Sequence, residues 1–187
     1  MIKIINMNVE DVRFPTSKDL TGSDAIHTDP DYSATYVTIT TSDNNLKGYG
    51  LAFTLGKGND IVAECIKHFF PLFNGLSIDE IEKNIGKLWY DCADHSQLRW
   101  LGPEKGVVHM ALAAIFNALW DLIAKKNQKP LWQFVVESKP ETIINWLTFK
   151  NIEDVLTKDD AFKILTKSQE FKKERIEKIL KEGYPSY

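Results

Sequence analysis

The sequence predicts an α+β domain in which a three-stranded antiparallel meander is followed by a helical bundle. Two observations predict it. Three β-rich runs lie within the first 54 residues, and two of them are joined by a short Asp43-Asn44-Asn45 turn. From residue 59 onward, apolar residues recur at the 3.6-residue spacing of helices.

Residues 2–14 alternate or run apolar and end at Pro15, as a first strand does. Residues 34–41 are dense in β-branched and aromatic types, a second strand, and Lys47 to Thr54 return as a third. Asn59 or Asp60 starts a helix with Ile61, Val62, Cys65, Ile66, Phe69 and Phe70 on one side, stopped by Asn74-Gly75. Ser77 and Glu80 have the spacing of a capping box, in which each side chain satisfies the other residue's free backbone N–H. The helix behind it turns Ile78, Ile81, Ile85, Leu88, Trp89 and Cys92 inward. A third helix carries Val107, Val108, Ala111, Ala114, Ile115, Ala118, Leu119 and Leu122 on a core-facing stripe. Pro103 and Glu104 suit its first turn, Lys125 and Lys126 its last, and Pro130 prevents continuation before a short helix at Leu131-Trp132-Gln133-Phe134. After Pro140, Ile143 to Phe149 reads as a short buried strand. Thr157 to Asp160 then cap a helix through Leu165, and a charged helix runs from about Glu170 to Glu182, ending at Gly183.

A chain of 187 residues has room for one domain, or one domain plus a fragment. Its net charge of −3 gives no reason to expect nucleic acid or an acidic membrane as partner. The Lys/Arg-rich run from Lys172 to Lys181 alternates with Glu and reads as a solvated helix face. No run of about 18 consecutive apolar residues is present, so no bilayer span is expected. With no presequence visible at Met1-Ile2-Lys3-Ile4-Ile5, a cytoplasmic location is expected, with a mitochondrial one as the alternative. Cys65 and Cys92 fall on apolar helix faces without metal-motif spacing and read as small core residues.

The run from Ala118 to Lys125, followed by Lys129-Pro130-Leu131-Trp132, resembles the end of the N-terminal capping domain of the enolase superfamily, of mandelate racemase/muconate lactonizing enzyme type. Gln97-Leu98-Arg99-Trp100 and the stretch from His27 to Ala34 look like the L-fuconate dehydratase group within it. The likeness extends from Asp11 to Pro185. It implies a capping domain over residues 1–140 and the start of a (β/α) barrel over 141–187, which the Ile143 strand would open. The residues after Pro130 are far too few for a complete barrel of roughly 250 residues. In the family, Mg²⁺ ligands and catalytic bases sit at barrel strand ends. The resemblance therefore implies Mg²⁺ in the complete enzyme, no metal bound by this chain and no catalytic residue within it. Glu153, Asp154, Asp159 and Asp160 read as capping or solvated residues, and Lys172-Lys173 as part of a surface helix.

The connection from Thr16 to Ser33 is long for a loop between two strands and dense in polar groups. Taken alone, its Asp24 and Asp31 read as turn or cap residues, and Tyr32 as a packing residue at a strand entry. The resemblance implies that this loop closes over a barrel mouth and that Gly22, Ser23, Asp24 and Tyr32 contact an acid-sugar substrate. The group more often has Ala at the position of Ser23, which leaves a backbone role there. Gly22 admits close approach of a ligand, Asp24 accepts sugar hydroxyls, and Tyr32 offers a hydroxyl and a ring face. His27, Asp29 and Asp31 sit in no metal-ligand motif, although a small enzyme with its own metal there is a third reading. The loop from Thr54 to Asn59 is Gly-rich but has no phosphate-binding fingerprint, and Lys57 on it is a specificity candidate.

The leading reading is the capping, substrate-gating domain of a hydro-lyase that dehydrates an acid sugar to a 2-keto-3-deoxy product. The chain alone is expected to be inactive. The alternative is a non-enzymatic interaction module that binds a separate barrel or another partner. Self-association is expected through the unpaired edge of the Ile143 strand.

Overall fold

The computed structural model describes residues 1–102 and 106–184, so the first-turn assignment of Pro103 and Glu104 lies outside the described residues. Strands β1 (Ile4–Val12), β2 (Ser33–Thr41) and β3 (Lys47–Thr54) form an antiparallel sheet in the order β1-β2-β3. Val9 and Gly50 flank Val37 across the sheet, and this register puts Thr35, Val37, Ile39 and Thr41 on the covered face. The other face exposes Tyr36, Tyr49, Leu51 and Phe53.

Helices α1 (Asn59–Phe69) and α3 (Val107–Lys126) cover the inner face, and α2 (Ile78–Ala93) packs against α3. The Ser77–Glu80 capping box is formed, with the Glu80 carboxylate accepting the Ser77 N–H at 2.8 Å. Cys92 is buried, and burial pushes its thiol up to about 11; Cys65 is partly buried and shifted the same way.

Helix α3 is more than a helix with one core-facing stripe. Leu112, Phe116 and Ile123 are buried as well, because α3 has β3 and β2 on one side and α1 and α2 on the other. An α-helix apolar most of the way round belongs at the centre of a fold. By length and composition it also passes for a membrane span, with 20 residues and a mean hydropathy of 1.7, yet 61% of that window is buried inside the protein. Close approach to β3 depends on Gly48 and Gly50. A Cβ at Gly50 would lie 2.1 Å from the Ala114 carbonyl oxygen, and one at Gly48 would lie 2.2 Å from that of Ala118.

Both outer strands have edge groups satisfied. The Ile4 N–H donates to Leu76 O at 2.9 Å, and the Gly75 N–H donates to Ile4 O at 2.9 Å. On β3, the Tyr49 N–H donates to the Asp121 carboxylate at 2.8 Å, and Lys125 Nζ donates to Lys47 O at 3.0 Å. Native sheets commonly blunt their edges in this way.

The chain divides into two compact units, Met1–Leu131 and Trp132–Tyr187. Helix α4 (Leu131–Glu137) leads into the second, followed by α5 (Pro140–Trp146), α6 (Lys158–Lys167) and α7 (Lys172–Glu182). The expected strand from Ile143 to Phe149 is not formed: residues 143–146 continue α5 and Leu147 is its C-cap. Pro140 at the start, with Glu141 in the first turn, favours a helix. A helix also satisfies its own backbone, whereas a strand here would need neighbours, and the described residues of this unit form none. The self-association expected from that edge therefore loses its structural basis. Thr157 and Asp160 close a second capping box, and α7 has no buried residue, as its charge pattern requires.

Candidate functional site

The two loops at one end of the sheet start from a buried polar junction. Asn59 is fully buried, and all four hydrogen-bonding positions of its amide are used. Its Oδ1 accepts from Thr35 Oγ1 at 2.8 Å and Thr54 Oγ1 at 2.9 Å. Its Nδ2 donates to the Asp11 carboxylate and to Ala34 O at 3.3 Å. One side chain thus ties the ends of all three strands to the first turn of α1. Hydrogen bonds from Arg13, then from Asn59, hold the Asp11 carboxyl below its ordinary value.

The loop between β1 and β2 is stapled at its base. Thr16 Oγ1 donates to Pro30 O at 2.6 Å and accepts the Tyr32 N–H at 2.9 Å. The Ser17 N–H donates to Asp31 Oδ1 at 3.1 Å, and the Asp31 N–H donates to Leu55 O at 3.3 Å. The hydrogen bonds from Ser17 lower the Asp31 pKa. Ends this close make an Ω-like loop held by its own side chains.

The structure brings the four candidate contact residues into the body of this loop. Gly22 has φ +75°, and a Cβ there would lie 2.1 Å from Tyr32 Oη, so only glycine fits beneath that ring. Tyr32 Oη donates to Gly22 O at 2.9 Å, and the Tyr32 ring lies 5.6 Å from that of Phe53. Ser23 Oγ donates to Thr28 O at 2.5 Å. Asp24 Oδ1 accepts the N–H groups of His27 at 2.6 Å and Ile26 at 2.7 Å, while Oδ2 lies 3.2 Å from His27 Nδ1. The His27 N–H, then that of Ile26, then the imidazole lower the Asp24 carboxyl to about 2. The turn reading of Asp24 and Asp31 thus describes real bonds, and it leaves a ligand role open. A carboxylate has about four lone-pair sites, a hydroxyl two. Asp24 uses three, and the hydroxyls of Tyr32 and Ser23 donate their only proton inward. Each therefore keeps an acceptor for a ligand hydroxyl.

Beside these residues, a cleft of about 280 Å³ opens between this loop and the Leu55–Gly58 turn, lined in part by Ser17, His27, Asp29, Asp31, Leu55 and Lys57. That is at the small end of ligand pockets, roughly 300–1,000 Å³. Lys57 therefore reaches the same space as the longer loop. The sequence showed His27 at the start of the resembling stretch and beside Asp29 and Asp31, with nothing to mark it as a ligand contact. Among the described residues no group of three or more His, Cys, Asp or Glu side chains is placed to hold a metal ion, so the third reading finds no ligand cluster there.

Residues 18–135 match the family model of the mandelate racemase/muconate lactonizing enzyme N-terminal domain. This chain belongs to the enolase superfamily. Mitochondrial enolase superfamily member 1 from Bos taurus is 47% identical over 186 residues, 99% of this chain and 42% of that protein. L-galactonate dehydratase from Hypocrea jecorina is 42% identical over 187 residues, 100% of this chain and 41% of that enzyme. The chain thus spans about two fifths of the length of these relatives. The crystal structure of human mitochondrial enolase superfamily member 1 superposes with a TM-score of 0.93 at 45% identity, over 99% of this chain and 42% of that one. An L-talarate dehydratase from Polaromonas, solved with Mg and L-glucarate, has a TM-score of 0.54 at 18% identity over 72% of this chain and 32% of its own, a likeness of fold alone. The three-stranded sheet with its helices is the superfamily's N-terminal capping domain.

Proposed function

We propose that this chain is the capping, substrate-gating domain of an acid-sugar dehydratase. The observation that carries the reading is the 42% identity to L-galactonate dehydratase along the whole chain. The loop from Thr16 to Ser33 supports it by offering acceptors on Ser23, Asp24 and Tyr32 to a polyhydroxy ligand. L-Fuconate, the acid implied by the sequence resemblance, is L-galactonate lacking its C6 hydroxyl, so one cap chemistry serves both. In the complete enzyme a barrel would supply the Mg²⁺ site and the catalytic bases, and this domain would close over its mouth with Gly22, Ser23, Asp24 and Tyr32 facing substrate.

The test joins this chain to the part of the Hypocrea jecorina enzyme that follows the matched segment and assays 2-keto acid formation from L-galactonate and L-fuconate with Mg²⁺. Turnover of either acid is expected. A folded, cooperatively melting chimera without turnover on either would overturn the reading and leave the non-enzymatic interaction module. A preference for L-galactonate would mean that a polar group meets the C6 hydroxyl, because a site built to bond a hydroxyl rejects the analogue lacking it.

A further inference from the structure

We propose that His27 is a ligand-contacting residue of this cap, offering Nε2 as an acceptor to a hydroxyl of the sugar acid, with Asp24 as its positioning residue. The inference rests on the reading of the chain as an acid-sugar cap and adds a contact that the resemblance does not supply.

Three observations lead to it. The first is the pairing of His27 Nδ1 with Asp24 Oδ2 at 3.2 Å, while the backbone N–H of His27 donates to Oδ1 of the same carboxylate at 2.6 Å. The ring is thus tethered to Asp24 through both its backbone and its side chain. The second is the ionisation of Asp24, which persists down to about pH 2. An ionised carboxylate only accepts, so the proton of a neutral imidazole must sit on Nδ1, which leaves Nε2 with a free lone pair. The third is the cleft, which His27 lines together with Ser17, Asp29, Asp31 and Lys57. The His27 side chain is 49% exposed, and among the described residues no hydrogen-bond partner is paired with Nε2.

The charges of the cleft select what Nε2 meets. The Asp29 and Asp31 carboxylates line the cleft with His27, and they accept from O–H donors and repel a ligand carboxylate at Nε2. Polyols are rich in O–H donors, and the free groups on Ser23, Asp24, Tyr32 and His27 are all acceptors. Nε2 of His27 therefore meets the hydroxylated part of the ligand.

Imidazole ¹⁵N NMR on the 187-residue chain tests this at a pH where the ring is neutral. The parent chain is expected to show His27 as the Nδ1–H tautomer, and Asp24→Asn to mix the two tautomers while the Ser23 and Thr28 amide signals stay in place. If Asp24→Asn instead opens the loop, the parent chain still decides: an Nε2–H tautomer there overturns the proposal. L-galactonate added to the parent chain should move the His27 Nε2 signal, and acetate should not. No movement, or equal movement with both, also overturns it. An active chimera with an unresponsive His27 would remove this contact alone. An inactive chimera with a responsive His27 would remove the dehydratase reading and leave a polyol site.

Discussion

Asn59 shows how much one buried amide decides. Asn59→Ala leaves the Thr54 hydroxyl without its acceptor and takes one donor from the Asp11 carboxylate, which keeps Arg13, whereas Thr35 keeps the backbone carbonyl of residue 59, 3.1 Å from its hydroxyl. One orphaned hydroxyl should cost about 1–3 kcal/mol in urea unfolding, and a change below about 0.5 kcal/mol would show that the junction contributes little. Asn59→Asp should be worse at pH 8 than at pH 5. Burial beside Asp11 raises the folded pKa of the new carboxyl, so stability falls as pH rises through its titration. The sequence showed Asn59 only as a helix start. Its neighbours Asp11, Thr35 and Thr54 come together through strand register, and no local pattern encodes them as a set. Tyr32 and Gly22 differ in kind. The resemblance named both as ligand contacts, but not that the ring of one fills the space a side chain on the other would need. In a working chimera, Tyr32→Phe should lower kcat/KM by roughly 2- to 10-fold, the worth of one neutral hydrogen bond. Unchanged kinetics would take the Tyr32 hydroxyl off the ligand surface.

At the scale of elements, strong local chemistry was readable and packing partners were not. The β-branched run of β2, the turn after it and the Ser77–Glu80 box each carry their own signal, and each is formed. The segment from Ile143 to Phe149 carries an equally apolar run, but periodicity alone cannot separate a short buried strand from a helix, and Pro140 with Glu141 decides for α5. Packing of α3 on β3 was invisible because its determinants are glycines, which leave no hydrophobic signal. Gly50→Ala should destabilise by about 3 kcal/mol, the upper part of the usual overpacking range, since the new methyl meets helix backbone rather than a movable side chain. A loss below 1 kcal/mol in urea unfolding would mean that the sheet and helix separate easily. The loop from Thr16 to Ser33 should loosen in acid. The Asp24 pKa falls from 3.8 when unpaired to about 2 when paired, so the open loop binds more protons between these values. Closure is therefore fully supported above about pH 4 and lost toward pH 2. The Ile26 and His27 amide signals should move together through that window, and a flat titration would contradict the pairing.

For the molecule as a whole, what is built and what is not separate cleanly. The unit Met1–Leu131 has a central helix enclosed by sheet and helices, satisfied edge groups and a loop fixed by its own hydrogen bonds. Dehydration of a sugar acid asks for something else: removal of a proton next to a carboxylate, which creates a dianionic enediolate. Enzymes lower barriers by roughly 8–23 kcal/mol, and preorganised charge is usually the largest contribution. Among the described residues, no set of carboxylates and imidazoles stands ready to hold the cation that such an intermediate needs. The lone pairs left free on Ser23, Asp24 and Tyr32 accept hydroxyl protons and do not stabilise developing negative charge. The 187 residues alone should therefore give no turnover above about 0.1 s⁻¹ with Mg²⁺ and either L-galactonate or L-fuconate, below the usual enzyme range of about 1–10³ s⁻¹. The same cap joined to a barrel should be active. Following 2-keto acid formation by both proteins side by side checks the point, and turnover by the isolated chain would require a catalytic group within these residues.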